Sequence, residues 1–312
     1  EIFAAPGATK DVAQDTASLQ LDNVAPTVFG VTTDPDPGLE GSNVGFVGSF
    51  SDPGLDDTWE ARWKFHDGTT SPWISVSKYS GGARVLILHS WSDLPGLYMF
   101  QADVMDKLKA ACGYFCTAID AFDMGPLGKN RLPTMGEISG YDVLLVGTNY
   151  FLFYSGWSTN AGNLLADYMD QGGAVVMMQF AFDTSWGNYG GIGGRWQSDQ
   201  YSPIPRGPSW FGTSTLGAVF DPTHPIFAGV TSLGAFYRLS VTTTTPGATR
   251  LANWMDGRVL AATKENPIVN NGARAVALPW FAPASTTGDN WRIVANGIRW
   301  AANAPDPVLK TM

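Results

Sequence analysis

From residue 83 onward, near-continuous apolar runs alternate with segments of helical spacing, and this alternation limits the fold more than any other feature. Ala83-Arg-Val-Leu-Ile-Leu-His, Asp142-Val-Leu-Leu-Val-Gly and Ala174-Val-Val-Met-Met-Gln-Phe show almost no polar alternation, as strands buried on both faces require. Thr117-Ala-Ile-Asp-Ala-Phe is a fourth such strand, second in chain order. Tyr98, Phe100, Val104, Leu108 and Ala111 recur at three- and four-residue steps and predict a helix. A second helix spans Ala161 to Gln171, with Leu164, Leu165, Tyr168 and Met169 on one side and Gly172-Gly173 closing it. Pro133–Gly140 predicts a short helix. Strand–helix alternation implies right-handed crossovers and an open parallel sheet whose order begins 2-1-3-4. Strands over Arg258–Thr263 and Ala273–Pro279 and a helix from Asp289 to Asn303 complete this α/β domain, residues 83–312. Trp291, Val294, Ile298 and Trp300 or Ala301 form the packing face of that last helix.

The chain has 312 residues with a net charge of −9, and charged residues make up only 15%. An acidic surface without a Lys/Arg cluster argues against nucleic acid and anionic membranes as partners. The longest apolar runs fall far short of the ~20 residues of a membrane span.

Residues before 83 read as all-β. Ala17-Ser-Leu-Gln-Leu and Asn43-Val-Gly-Phe-Val-Gly-Ser-Phe alternate apolar and polar side chains, the period of a half-buried strand. Asp34-Pro-Asp-Pro-Gly and Ser51-Asp-Pro-Gly supply turn chemistry. The stretches Asn23-Val-Ala-Pro-Thr-Val, Glu40-Gly-Ser-Asn-Val, Ser49-Phe-Ser-Asp-Pro-Gly-Leu-Asp-Asp-Thr-Trp and Trp63-Lys-Phe-His-Asp-Gly-Thr-Thr resemble the PKD domain, an Ig-like extracellular sandwich. The family core reads Trp-Asp-Phe-Gly-Asp-Gly, and here Lys64 and His66 replace its first Asp and first Gly. The resemblance implies a β-sandwich over residues 23–80 and an extracellular or cell-surface location.

A PKD domain normally continues past Asp-Gly-Thr into two further strands. Here Lys78-Tyr-Ser-Gly-Gly leads directly into the α/β domain. Residues 1–22 look instead like the last strand of such a sandwich, with Ala17, Leu19 and Leu21 as its apolar side. That strand can fold back in cis, or insert into a neighbouring copy, since an open sheet edge seeks a strand. Head-to-tail donation that does not close a ring builds a filament. A chain cut from a longer multidomain protein is the third alternative.

Asp52, Asp56, Asp57 and Asp67 cluster in the turns of this region. They suit Ca²⁺, which takes six to eight oxygens; plain turn capping by Asx side chains is the favoured alternative. No other cofactor is expected. Cys112 and Cys116 are the only cysteines. Their spacing allows a disulfide, which would require an oxidising compartment, or two thiols packed in a turn.

Arg84-Val-Leu-Ile-Leu, Tyr141-Asp-Val-Leu-Leu-Val, Leu164-Leu-Ala-Asp-Tyr-Met-Asp-Gln-Gly-Gly-Ala-Val-Val, His224-Pro-Ile-Phe-Ala-Gly-Val and Asn290-Trp-Arg-Ile-Val-Ala-Asn-Gly-Ile-Arg-Trp-Ala resemble the class I glutamine-amidotransferase-like superfamily and its ThuA-like branch. The resemblance implies a flavodoxin-like sheet with a nucleophilic Cys on the turn after a strand. The corresponding stretch, Met177-Met-Gln-Phe-Ala-Phe, has no Cys or Ser, so the scaffold is expected without its catalytic set. Ligands of open α/β sheets bind at strand carboxyl ends. His89, Asn149, Gln179 and Asp183 are the candidate pocket residues there, with loop backbone bonding as the alternative role. Between Asp183 and Gly212 the sequence predicts a long loop. Its Trp186, Tyr189, Trp196, Tyr201 and Trp210 can cover the sheet, form a protein interface or stack on glycans.

The resulting expectation is an extracellular structural or adhesive protein, a self-assembling subunit whose partners are copies of itself. The runner-up is a secreted hydrolase or carbohydrate-binding protein using the pocket.

Overall fold

The computed structural model describes residues 27–34, 45–51, 59–62, 68–70, 74–76, 82–90, 100–125, 128–148, 157–185 and 191–302. The chain divides into two units, Glu1–Val76 with Leu309–Met312, and Ser77–Val308. In the first unit, β1 (Thr27–Asp34) pairs antiparallel with β2 (Gly45–Ser51), and β3 (Trp59–Ala61) pairs antiparallel with β4 (Ile74–Val76). The expected donor strand (Ala17, Leu19, Leu21) and the carboxylates Asp52, Asp56, Asp57 and Asp67 lie outside the described residues.

The second unit is built on a ten-stranded sheet. Its parallel part holds β5 (Ala83–Ser90), β6 (Cys116–Asp123), β7 (Val143–Thr148) and β8 (Ala174–Met178) in the order β6-β5-β7-β8. This is the 2-1-3-4 order that the sequence predicts. The strands alternate between two cores: Val85 and Ile87 face one, Leu86 and Leu88 the other. Every side chain of β7 and β8 is buried, which explains their unbroken apolar character.

Among the described residues, five α-helices cover the two faces. On one lie α1 (Phe100–Cys112) and α5 (Asn290–Ala301), which pack on each other. Val104 and Leu108 of α1 and Ile293, Val294 and Ile298 of α5 enter this core. Trp291 and Trp300 only border it. On the other face lie α2 (Met135–Ile138), α3 (Trp157–Asp170) and α4 (Gly194–Ser198). The chain leaves α3 through Gly172 at φ +95°, a left-handed position that glycine takes without strain.

The sheet is not parallel throughout, and the expectation of an open parallel sheet is corrected here. Beyond β8, β13 (Arg274–Leu278) is parallel, and then β12 (Val259–Glu265), β11 (Thr249–Trp254), β9 (Ser209–Val219), β10 (Leu233–Leu239) and β14 (Thr286–Gly288) follow as antiparallel neighbours. From β9 to β14 the chain reverses through loops with no α-helix between strands, and such reversals pair strands antiparallel, whereas the parallel half needs helical crossovers.

Two polar groups fasten α5 to this half. Asn290 Oδ1 accepts from the buried Trp280 indole at 2.7 Å, and its amide donates to the Ala282 carbonyl. Asp289 Oδ2 accepts from the Thr231 and Ser232 backbone N–H groups at 2.7 and 3.0 Å. Those bonds, with the Thr231 hydroxyl and nearby Arg292, outweigh burial and hold the Asp289 carboxyl below its ordinary range. A depressed carboxyl contributes stability above its unfolded pKa and loses it as pH falls through the folded value. Asp289→Asn should therefore cost about 1–2 kcal/mol at pH 7. It should also lose less stability than the parent on acidification below about pH 4. Urea unfolding at the two pH values checks both. Equal losses on acidification in the two proteins would contradict this role.

Candidate functional site

The carboxyl ends of β5, β7 and β8 carry the polar residues of interest. His89 is the penultimate residue of β5 and is buried. Strand alternation puts it on the Val85–Ile87 face. Its Nδ1 lies 3.9 Å from Asp123 Oδ1 at the end of β6, and Asp123 also accepts from the Gly125 N–H at 2.8 Å.

Gln179 directly follows β8 and is fully buried. Its backbone N–H donates to the Trp280 carbonyl, and its side-chain Nε2 donates to Ser209 Oγ at 2.8 Å. Asp183 is 1% exposed and forms a backbone bridge with Gly207. Its Oδ1 accepts from the Ser185 and Ser209 N–H groups at 2.7 and 3.1 Å. Ser209, the first residue of β9, thus joins Gln179 to Asp183. Arg206 borders them and donates to the Asp183 carbonyl. Burial lowers the Arg206 pKa against the pull of the Asp183 carboxylate. Two buried atoms here, Gln179 Oε1 and Arg206 Nε, have no hydrogen-bond partner among the described residues.

The structure therefore gathers Gln179 and Asp183 but sets His89 apart. β7 lies between β5 and β8, a separation of about 10 Å between strand axes. Asn149 lies outside the described residues. The hydroxyls of Ser185 and Ser209 meet backbone and amide groups, not an imidazole. His224 accepts from the Ile226 N–H through Nδ1 and packs on Trp300, away from these strand ends. The arrangement links an amide to a carboxylate through Ser209. It does not place an activated nucleophile.

The expected aromatic loop is corrected in part. Trp196 lies in α4, and it and Tyr201 are fully buried and stacked at 6.1 Å. They are core, the sheet-covering role among the three that the sequence left open. α4 reaches α3 because Gly162 leaves room for the Gly193 carbonyl, where a Cβ would collide. Arg195 then pairs with Asp167, Asp170 and Asp199 and donates to Tyr201. Trp210 is 44% exposed in β9. Trp186 and Tyr189 lie outside the described residues. Asp103 and Lys107 form an exposed i,i+4 pair in α1. At that helix's end a disulfide joins Cys112 to Cys116, with Cα atoms 5.5 Å apart. No group of three or more potential metal ligands occurs among the described residues.

No family model matches the chain, and no curated protein matches it. Among solved structures, it is similar to a putative ThuA-like protein from Bacteroides uniformis, with a TM-score of 0.46 and 11% identity over 70% of this chain and 90% of that one. It is also similar to the glutaminase domain of Trypanosoma brucei CTPS with bound acivicin, with a TM-score of 0.42 and 11% identity over 73% and 96%. The α/β architecture of this unit stands on its own sheet order and layers.

Proposed function

We propose that the protein is an extracellular structural subunit that assembles with copies of itself by donating residues 1–22 to a neighbour's N-terminal unit. The observation that carries this reading is the size of the β-pieces in that unit. Its described strands form two separate pairs, β1–β2 and β3–β4, and the latter has three residues per strand. Two-stranded pieces are marginal in water without further strands or a packed face. The alternating Ala17-Ser-Leu-Gln-Leu segment is a strand of the right character to complete them. The PKD-like motifs and the Cys112–Cys116 disulfide fit an oxidising, extracellular setting.

The α/β unit serves in this reading as a rigid body rather than a catalyst. Gln179 stands where an amidotransferase-like strand would present its nucleophile, and its amide is bonded to Ser209. A binding pocket formed jointly by His89, Gln179 and Asp183 has less support, because β7 separates the histidine from the other two.

Sedimentation velocity of the intact chain, from low micromolar to its solubility limit, tests the proposal. The expected result is a series of species that grows with concentration. A single monomer peak throughout would overturn it.

A further inference from the structure

An arginine–aromatic patch lies on the antiparallel half of the second unit. Trp210, Phe220 and Met255 are 44%, 56% and 71% exposed. Met255 begins the turn between β11 and β12, and its N–H donates to the Thr215 carbonyl of β9. On one side of that turn, Arg258 lies over the Trp210 ring at 4.1 Å from its centroid. On the other, Arg250 lies over Phe220 at 5.7 Å and donates to the Gly257 carbonyl at 2.7 Å. Through the turn these contacts connect Phe220 to Trp210.

Its charge is unbalanced. Arg250 donates to the Asn253 side chain and to the Thr242 and Gly257 carbonyls, and no carboxylate pairs with it among the described residues. Asp256 is shared between Arg258 and the buried Arg238. At the surface two guanidiniums, Arg250 and Arg258, thus face one carboxylate, which the buried Arg238 also engages from below. Exposed aromatic rings, a methionine and arginines are the composition of protein interface cores.

The same sequence holds a complementary surface. Residues 1–80 carry twelve acidic and four basic side chains, a net −8, while the other 232 residues carry sixteen and fifteen, a net −1. Almost all of the chain's net negative charge therefore sits in its first quarter. We infer that the patch around Met255, Arg250 and Arg258 docks the acidic N-terminal region of a second copy of this chain. The inference rests on the self-assembly reading and adds a second contact to it. The donated strand supplies the link between copies, and this contact fixes their orientation. Complementary charge of this kind steers encounter and disfavours wrong orientations.

The test uses the full chain with a photo-crosslinking phenylalanine analogue at position 255 in isotope-labelled protein, mixed with unlabelled protein. A parallel sample carries the analogue at position 19. The expected result is labelled-to-unlabelled crosslinks from position 255 to peptides within residues 1–80. Met255→Asp, which adds a carboxylate at a solvent-exposed position, should raise the concentration for half-maximal assembly about tenfold, and added salt should do the same to the parent. Crosslinks from position 19 with none from 255, or with 255 joined to another region, overturn the docking contact and leave strand donation standing. Crosslinks from 255 with none from 19 support docking and remove strand donation. No crosslinks between copies from either position overturn both.

Discussion

A chain lacking residues 1–22 should stay monomeric at concentrations where the intact chain forms polymers. The apolar side of this segment is Ala17, Leu19 and Leu21. Full burial of a leucine contributes roughly 1.5–3 kcal/mol, so the two leucines supply about 3–6 kcal/mol to a donated strand. At about 1.4 kcal/mol per decade, losing them weakens association by about 10²–10⁴-fold. Leu19→Asp with Leu21→Asp should reproduce the effect of the deletion, since a charge on the buried side of a strand has no partner there. The α/β unit should be unaffected, so its unfolding transition separates loss of assembly from loss of folding. Deleted and intact chains that assemble equally well by light scattering would remove strand donation.

Asp256→Ala should destabilise the second unit by about 2–3 kcal/mol, more than a surface carboxylate normally contributes. Arg238 is 1% exposed, and its Nη1 donates to Asp256 Oδ2 at 2.7 Å while Nε and Nη2 donate to the Gly212 carbonyl. Removing Asp256 leaves that buried guanidinium uncompensated, with Arg258 close by. Burial opposes ionisation of Asp256, yet bonds from Arg238 and the Arg258 backbone and both guanidiniums' charges hold its carboxyl below the ordinary range. The pair's contribution is therefore present above the unfolded carboxyl pKa and is lost as pH falls through the folded value. Combining Asp256→Ala with Arg238→Met should recover much of the loss, because the stranded charge goes with the side chain. The exposed pair Lys107–Asp103 is the control, and Asp103→Ala should change stability by no more than about 0.5 kcal/mol. Urea unfolding of the four proteins measures all of this. An Asp256→Ala loss as small as the Asp103→Ala loss would contradict the role given to the buried arginine.

The parallel half of the sheet was legible because burial on both faces leaves one kind of side chain. Val85 to Leu88 and Val143 to Val146 have no polar position at which to blur the pattern. The antiparallel half was harder to read. Ser209–Val219 alternates imperfectly, carries Gly212 and Gly217, and shifts register against β10. Period-two patterning fails where a bulge intervenes and both sides are partly wet. Trp196 and Tyr201 lie in a Gly- and Ser-rich stretch that reads as a long loop of little periodicity. What buries them is tertiary: the bare Gly162 surface of α3 and the carboxylates that hold Arg195.

Strand ends predicted His89, Gln179 and Asp183 as neighbours of the sheet's carboxyl edge, and all three are there. The 2-1-3-4 order already places β7 between the strands of His89 and Gln179, so their separation follows from a strand order that the sequence predicts. Ser209, which joins Gln179 to Asp183, and Arg206, which borders them, were missed because their partners are distant in the chain. They are 23 to 30 residues from their partners. Arg238 and Asp256 are 18 residues apart in chain and on different elements, and no local spacing marks such a pair.

An electron cryomicroscopy map of the assembled protein tests strand donation most directly. Donation predicts residues 17–21 as an extended segment hydrogen-bonded into the N-terminal unit of the adjacent copy. The same residues paired inside their own copy, or copies joined with no strand passing between them, would contradict it.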